Sequence, residues 1–248
     1  MILDIYKDSI EYAIQDHMSL LKLGICMLLS FLIIPAFLVM GYEYRVLAIS
    51  TKGMVNGNDK LPEFDDLIGM FVDGLKMFIV SMIYMIIPII VLLIFNMTGN
   101  GINISSSGIG IGLLTTEFII SLIVFIIFFF MSLMAVTHMV ANDGSFKAAF
   151  DIKGIWKIIS NIGWIRYILF YLGLVIAQGV IIALTIIVGI ILQIIFSIGL
   201  MVLGPIASST AMIVITILVS IVYSLLLEPF MSIFRNRALG LIYEPLEE

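Results

Sequence analysis

Apolar positions in this chain come in long unbroken runs rather than in strict alternation or isolated stripes. A helix crossing a hydrocarbon core of ~30 Å needs about 20 apolar residues. The runs at 23–47, 75–97 and 113–140 reach that length, the first with Pro35 and the second with Pro88 inside it. From Trp164 the apolar character continues to Phe234, interrupted only by Gly199, Gly204 and Pro205. That span is too long for one crossing, so two helices are expected there, with the turn near 197–209. A further crossing at 188–203 is the alternative. The pattern predicts an all-α fold: a polytopic transmembrane helix bundle of about five crossing helices, six in the alternative, forming a single membrane domain over residues 1–248.

Three polar segments precede such runs, and each carries an apolar stripe at helical spacing. Leu3, Tyr6, Ile10, Ala13 and Ile14 share one face near the start. Phe64, Leu67, Ile68, Phe71 and Leu75 do so behind Leu61-Pro62, and Ile152, Ile155, Trp156 and Ile159 form a third stripe. Amphipathic interfacial helices are expected at the start and over 62–74 and 145–159, lying in the plane of the bilayer surface. Phe64-Asp65 and Phe150-Asp151, each with a Gly close behind (Gly69, Gly154), suggest a parallel internal repeat over 61–140 and 146–235.

Charge then orients the bundle. Lys and Arg number two before the first run, four between the first and second, none before the third, four after it, none in the 188–209 turn and two at the end. The positive-inside bias places loops 50–74 and 141–163 and the C-terminus in the cytoplasm, with loop 98–112 outside. Five crossings satisfy that parity with the N-terminus outside. A re-entrant hairpin in the first run would change the parity. The outer loop is uncharged and holds two sequons, at Asn96 and Asn103.

Composition agrees: 62% of residues are apolar and 12% charged, against about 45–50% and 25% in soluble domains. The surplus has to face lipid, so the bilayer is the first partner, with a membrane protein as the second. A net charge of −5 argues against nucleic acid. One cysteine, Cys26, and two histidines, His17 and His138, make neither a disulfide nor a Cys/His zinc site. No cofactor motif is present and none is expected. The first residues lack the basic start of a signal peptide, so the first apolar run itself is expected to direct the chain to the cell membrane.

The segments Gly41-Tyr42-Glu43-Tyr44-Arg45 and Leu61-Pro62-Glu63-Phe64-Asp65-Asp66, with Asp73-Gly74-Leu75-Lys76, are similar to those of an uncharacterised, largely archaeal membrane family, domain of unknown function 4013. Gly144-Ser-Phe-Lys-Ala-Ala-Phe150 resembles its second characteristic segment. The resemblance implies a multi-helix membrane fold and no particular activity.

Chemistry-bearing side chains are few. Glu63, Asp65, Asp66 and Asp73 form an acidic patch, suited either to a hard cation or to a solvated face with acids at a helix N-terminus. Within the runs, Glu117 lies near the outer end of the third helix, and His138 and Glu228 near inner ends. Ionisable groups at such positions are costly and mark function or pairing. Glu228 is expected to pair with Arg166, with Arg45 and His138 as further candidates. Gln178 and Gln193 sit deepest. No serine elbow, zinc-protease helix or P-loop is present. The expected function is therefore non-enzymatic, a small carrier or channel or an accessory membrane subunit. A lipid-modifying enzyme with an unfamiliar site is the alternative.

Overall fold

The computed structural model describes residues 2–97, 102–105, 108–111, 116–200 and 205–243. In chain order the elements are α1 (Ile2–Ala13), α2 (His17–Leu28), α3 (Ile33–Lys52), α4 (Leu67–Met97), β1 (Ile102–Ser105), β2 (Gly108–Ile111), α5 (Thr116–Ala141), α6 (Phe146–Ala149), α7 (Ile152–Ile162), α8 (Trp164–Leu200), α9 (Pro205–Val222) and α10 (Glu228–Ile242). A π-helical segment, Tyr223–Leu227, joins the last two. Five helices are long and apolar enough to cross a membrane: Ile33–Lys52, Leu67–Phe95, Phe118–Ala141, Trp164–Phe196 and Met212–Ile242. The fold is thus an all-α polytopic bundle. Its one departure among the described residues is a short antiparallel hairpin, β1–β2, where a plain loop was expected.

The first apolar run is broken rather than kinked. α2 ends at Leu28, and Leu32 is extended before α3 begins. A continuous helix would set the Pro35 ring against the Phe31 carbonyl and lose that hydrogen bond. Starting at Ile33 puts Pro35 in a first turn, where its missing N–H is not needed. Pro229 is met differently. The turn before it widens, and the Glu228 N–H bonds back to the Tyr223 carbonyl, five residues away, a π-bulge that makes room for the ring.

The expected interfacial helix at 62–74 is not a separate element. Residues 61–66 are non-helical, and α4 runs from Leu67 without interruption. Asp66 caps it, accepting from the Gly69 N–H at 3.1 Å. Asp151 caps α7 in the same way, from Gly154 at 3.0 Å. The α7 stripe divides: Ile155 and Ile159 are buried, whereas Ile152 and Trp156 face outward. The α1 stripe divides too, with Ala13 buried. The helix buries Ile5, Asp8, Ser9 and Tyr12 and exposes Leu3, Ile10 and Ile14. α8 runs unbroken through 188–200, so no additional crossing forms there.

α3 crosses α4 at backbone contact. A Cβ on Gly41 would fall 1.9 Å from the Met70 carbonyl oxygen, and one on Gly74 would fall 2.0 Å from that of Phe37. Only glycine permits this approach. Buried side chains gather at one end of the bundle, where α1, α3, α7, α10 and the bases of α4, α5 and α8 meet. The far halves of α4, α5, α8 and α9 are exposed almost all round.

Candidate functional site

Ion pairs hold the packed end together. Arg237 is fully buried (0% exposed); its Nε reaches Asp8 and its Nη1 reaches Asp59, both at 2.8 Å. Its guanidinium lies 4.5 Å from the centre of the Tyr12 ring. Burial pushes the Tyr12 phenol above its ordinary pKa and that of Tyr6 up to about 12. Tyr6 donates to the Phe170 carbonyl, tying α1 to α8.

Arg45 sits against the acidic patch. It bonds the Asp65 carboxylate at 2.6 Å and lies 3.7 Å from that of Asp66. It also donates to the carbonyl of Glu63 at 3.2 Å. Asp73 pairs with Lys76 at 3.0 Å. Asp65, Asp66 and Asp73 are therefore committed to cations and a helix cap, and among the described residues no group of three metal-ligating side chains occurs.

The Glu228–Arg166 pair expected from the topology is not formed. Arg166 is exposed on α8, and among the described residues Glu228 has no ion-pair partner. Instead Arg235 pairs with Glu43 at 2.8 Å, and Ser232 donates to the same oxygen at 2.5 Å. The reason lies in the helix register. α3 and α10 run side by side and parallel, with Glu43 beside Ser232 and Arg235 and Ser50 beside Gly240. His138 meets the Tyr243 hydroxyl through Nδ1 at 2.7 Å. The Glu117 side chain, the Asn96 and Asn103 side chains and residues 201–204, where a turn was expected, lie outside the described residues.

Two concavities are candidates. The first, of about 400 Å3, lies between α2, α3, α8 and α10. Its polar end holds Glu43, Glu228, Arg235 and Gln178, and its walls are Met27, Val39, Met40 and Ile182. Ile182 and Tyr223 also line a second space of about 500 Å3 along the α8–α9 seam, with Thr185, Gln193, Thr216 and Ser220. The two lie next to each other, sharing Ile182 and Tyr223, and Gln178 to Gln193 covers ~22 Å of helix. In the seam Gln193 donates to Thr216 at 2.7 Å.

The other concavity, of about 670 Å3, is polar and holds His138, Asn142, Asp143, Ser145, Lys147 and Asp151. Its two carboxylates are engaged, Asp143 with Lys52 at 3.2 Å and Asp151 with its cap. The His138 Nδ1 is also taken.

Sequence reasoning missed Glu43, Asp8, Asp59, Arg235 and Arg237 as site or pairing residues. Glu43 did carry a signal, as an acid inside an otherwise apolar run. The others pair across long sequence separations that no local spacing announces.

No curated protein and no solved structure matches this chain. Residues 28–191 match a family described as a protein of unknown function, DUF4013. The match takes in both glycines of the α3–α4 crossing, the Arg45–Asp65 contact and the His138 concavity, and on it the chain belongs to the DUF4013 family.

Proposed function

We propose that this protein is a non-enzymatic integral membrane protein that holds an amphiphile with a cationic head, the head beside Glu228 and the tail along the α8–α9 seam. One observation carries the reading. Glu43 and Arg235 neutralise each other at an apolar cleft, which leaves the Glu228 carboxylate there without a cation among the described residues. A carboxylate beside apolar walls suits a positively charged partner. The apolar walls of the seam suit an alkyl chain. The Lys/Arg count supports placing the packed end toward the cytoplasm.

Chain-matched ligands test this: dodecylamine, dodecyltrimethylammonium, dodecanol and dodecanoate added to purified protein in neutral detergent. The amines are expected to raise the unfolding temperature, the alcohol and acid much less, and Glu228→Gln to remove the difference. Equal shifts for all four would refute the reading. An accessory-subunit role is the second reading, favoured by the half-buried Gln193 and the exposed Thr216 and Ser220 on the seam, since polar groups join helices in lipid. A stable dimer or co-purifying subunit lost on Gln193→Leu would support it.

A further inference from the structure

We propose that α2 and α3 form a re-entrant hairpin that enters one leaflet and returns, so that four segments cross the bilayer and α1 lies on the same side as α10's end. The argument is one of level along the bundle. α2 begins where Asp16 caps it, next to Gln15, which bonds the Asp59 carbonyl at 3.2 Å in the packed end. It runs antiparallel to the π-helical segment, with Gly24 against the Leu225 backbone. α3 then returns to the same end, where Lys52 meets Asp143.

The depth of the tip follows from α4. Gly41 lies against Met70, and Phe37 lies against Gly74 and Phe78. The start of α3 is therefore level with about residue 80 of α4. On the other side, Met27, Ser30 and Ala36 share a cavity with Ile182 of α8 and with Tyr223. Beyond these levels, α4, α8 and α9 each continue for ~25 Å. Those extensions are apolar and largely exposed: Ile86, Ile90 and Leu93 on α4, Ile187 and Ile194 on α8, Ile213 on α9.

If α3 crossed the whole core, these apolar rods would stand in water on the far side, at a cost of about 25 cal/mol per Å2. With the rods in the bilayer, the hairpin reaches only the near leaflet. Its tip suits that place, because Phe31 (78% exposed), Ile33 (74%) and Ile34 (65%) point away from the protein. The Leu29–Leu32 turn keeps its own hydrogen bonds, the Leu32 N–H bonding the Leu29 carbonyl at 2.9 Å, as a turn in hydrocarbon must.

Single cysteines in a Cys26→Ala background of the full chain test the proposal. Lys7→Cys and Lys153→Cys lie on exposed polar surface, and a membrane-impermeant maleimide on intact and permeabilised cells reports their sides. The expected result is labelling of both from the same side. Labelling from opposite sides overturns the hairpin. A bimane on Phe31→Cys in liposomes is expected to be quenched by lipids brominated in the near leaflet and shielded from aqueous iodide. Access to iodide from either side overturns insertion of the tip.

Discussion

Replacing Arg237 with methionine removes the cation from the centre of the packed end while keeping a side chain of similar length. Asp8 is 6% exposed and also accepts from the Asn56 N–H at 2.8 Å. Its carboxylate would be left buried and uncompensated, which costs about 3–5 kcal/mol. Asp59 is 28% exposed and regains water, so it adds little. The lost stacking on Tyr12 adds ~1 kcal/mol. The expected destabilisation is therefore about 4–6 kcal/mol. Asp8→Asn keeps the carbonyl oxygen that Asn56 needs, so the combination with Arg237→Met is expected to recover at least ~2 kcal/mol of the sum. Arg237→Lys should fall between, because an ammonium cannot bridge both carboxylates in one plane. Reversible unfolding in mixed micelles by added SDS reads these differences. A change under ~1 kcal/mol for Arg237→Met, or strict additivity with Asp8→Asn, would refute the reasoning.

Gly41→Ala and Gly74→Ala each place a Cβ against backbone, and the α3–α4 crossing has to open by over ~1 Å; a loss of at least ~2 kcal/mol is expected, and unchanged stability in the same titration would contradict it. Asp151→Ala removes the α7 cap and should cost about 1 kcal/mol, with faster hydrogen exchange at Gly154. Burial raises the folded-state pKa of Tyr6 and Tyr12 above that of the unfolded chain. Their contribution is complete below pH ~10 and is lost as pH rises toward 12, so Tyr6→Phe is expected to flatten the alkaline limb of stability against pH; an unchanged limb would contradict this.

Run length and composition made the long helices legible, because lipid exposure demands a minimum apolar length. The α2–α3 break was not legible in the same way. The run stays apolar through Ser30-Phe31-Leu32, and hydropathy does not separate one crossing from two short arms. The buried face of α1 was not legible either. An apolar stripe faces the core in water, but beside a membrane it faces outward, and the buried Arg237 draws Asp8 inward. For the cleft, Glu228 was visible as a costly acid. Glu43 was visible in the same way, but its pairing was not, since Glu43 and Arg235 meet only because α3 and α10, 192 residues apart at this contact, run parallel.

The amphiphile cleft is tested most directly by a long-chain primary amine carrying a diazirine on its tail, photolysed with the full-length protein in liposomes and mapped by peptide mass spectrometry. Adducts are expected to concentrate on residues 178–193 and 212–232, and to be suppressed by Glu228→Gln but not by Arg166→Gln. Adducts spread evenly over the exposed faces of α4 and α5, unaffected by Glu228→Gln, would contradict the account.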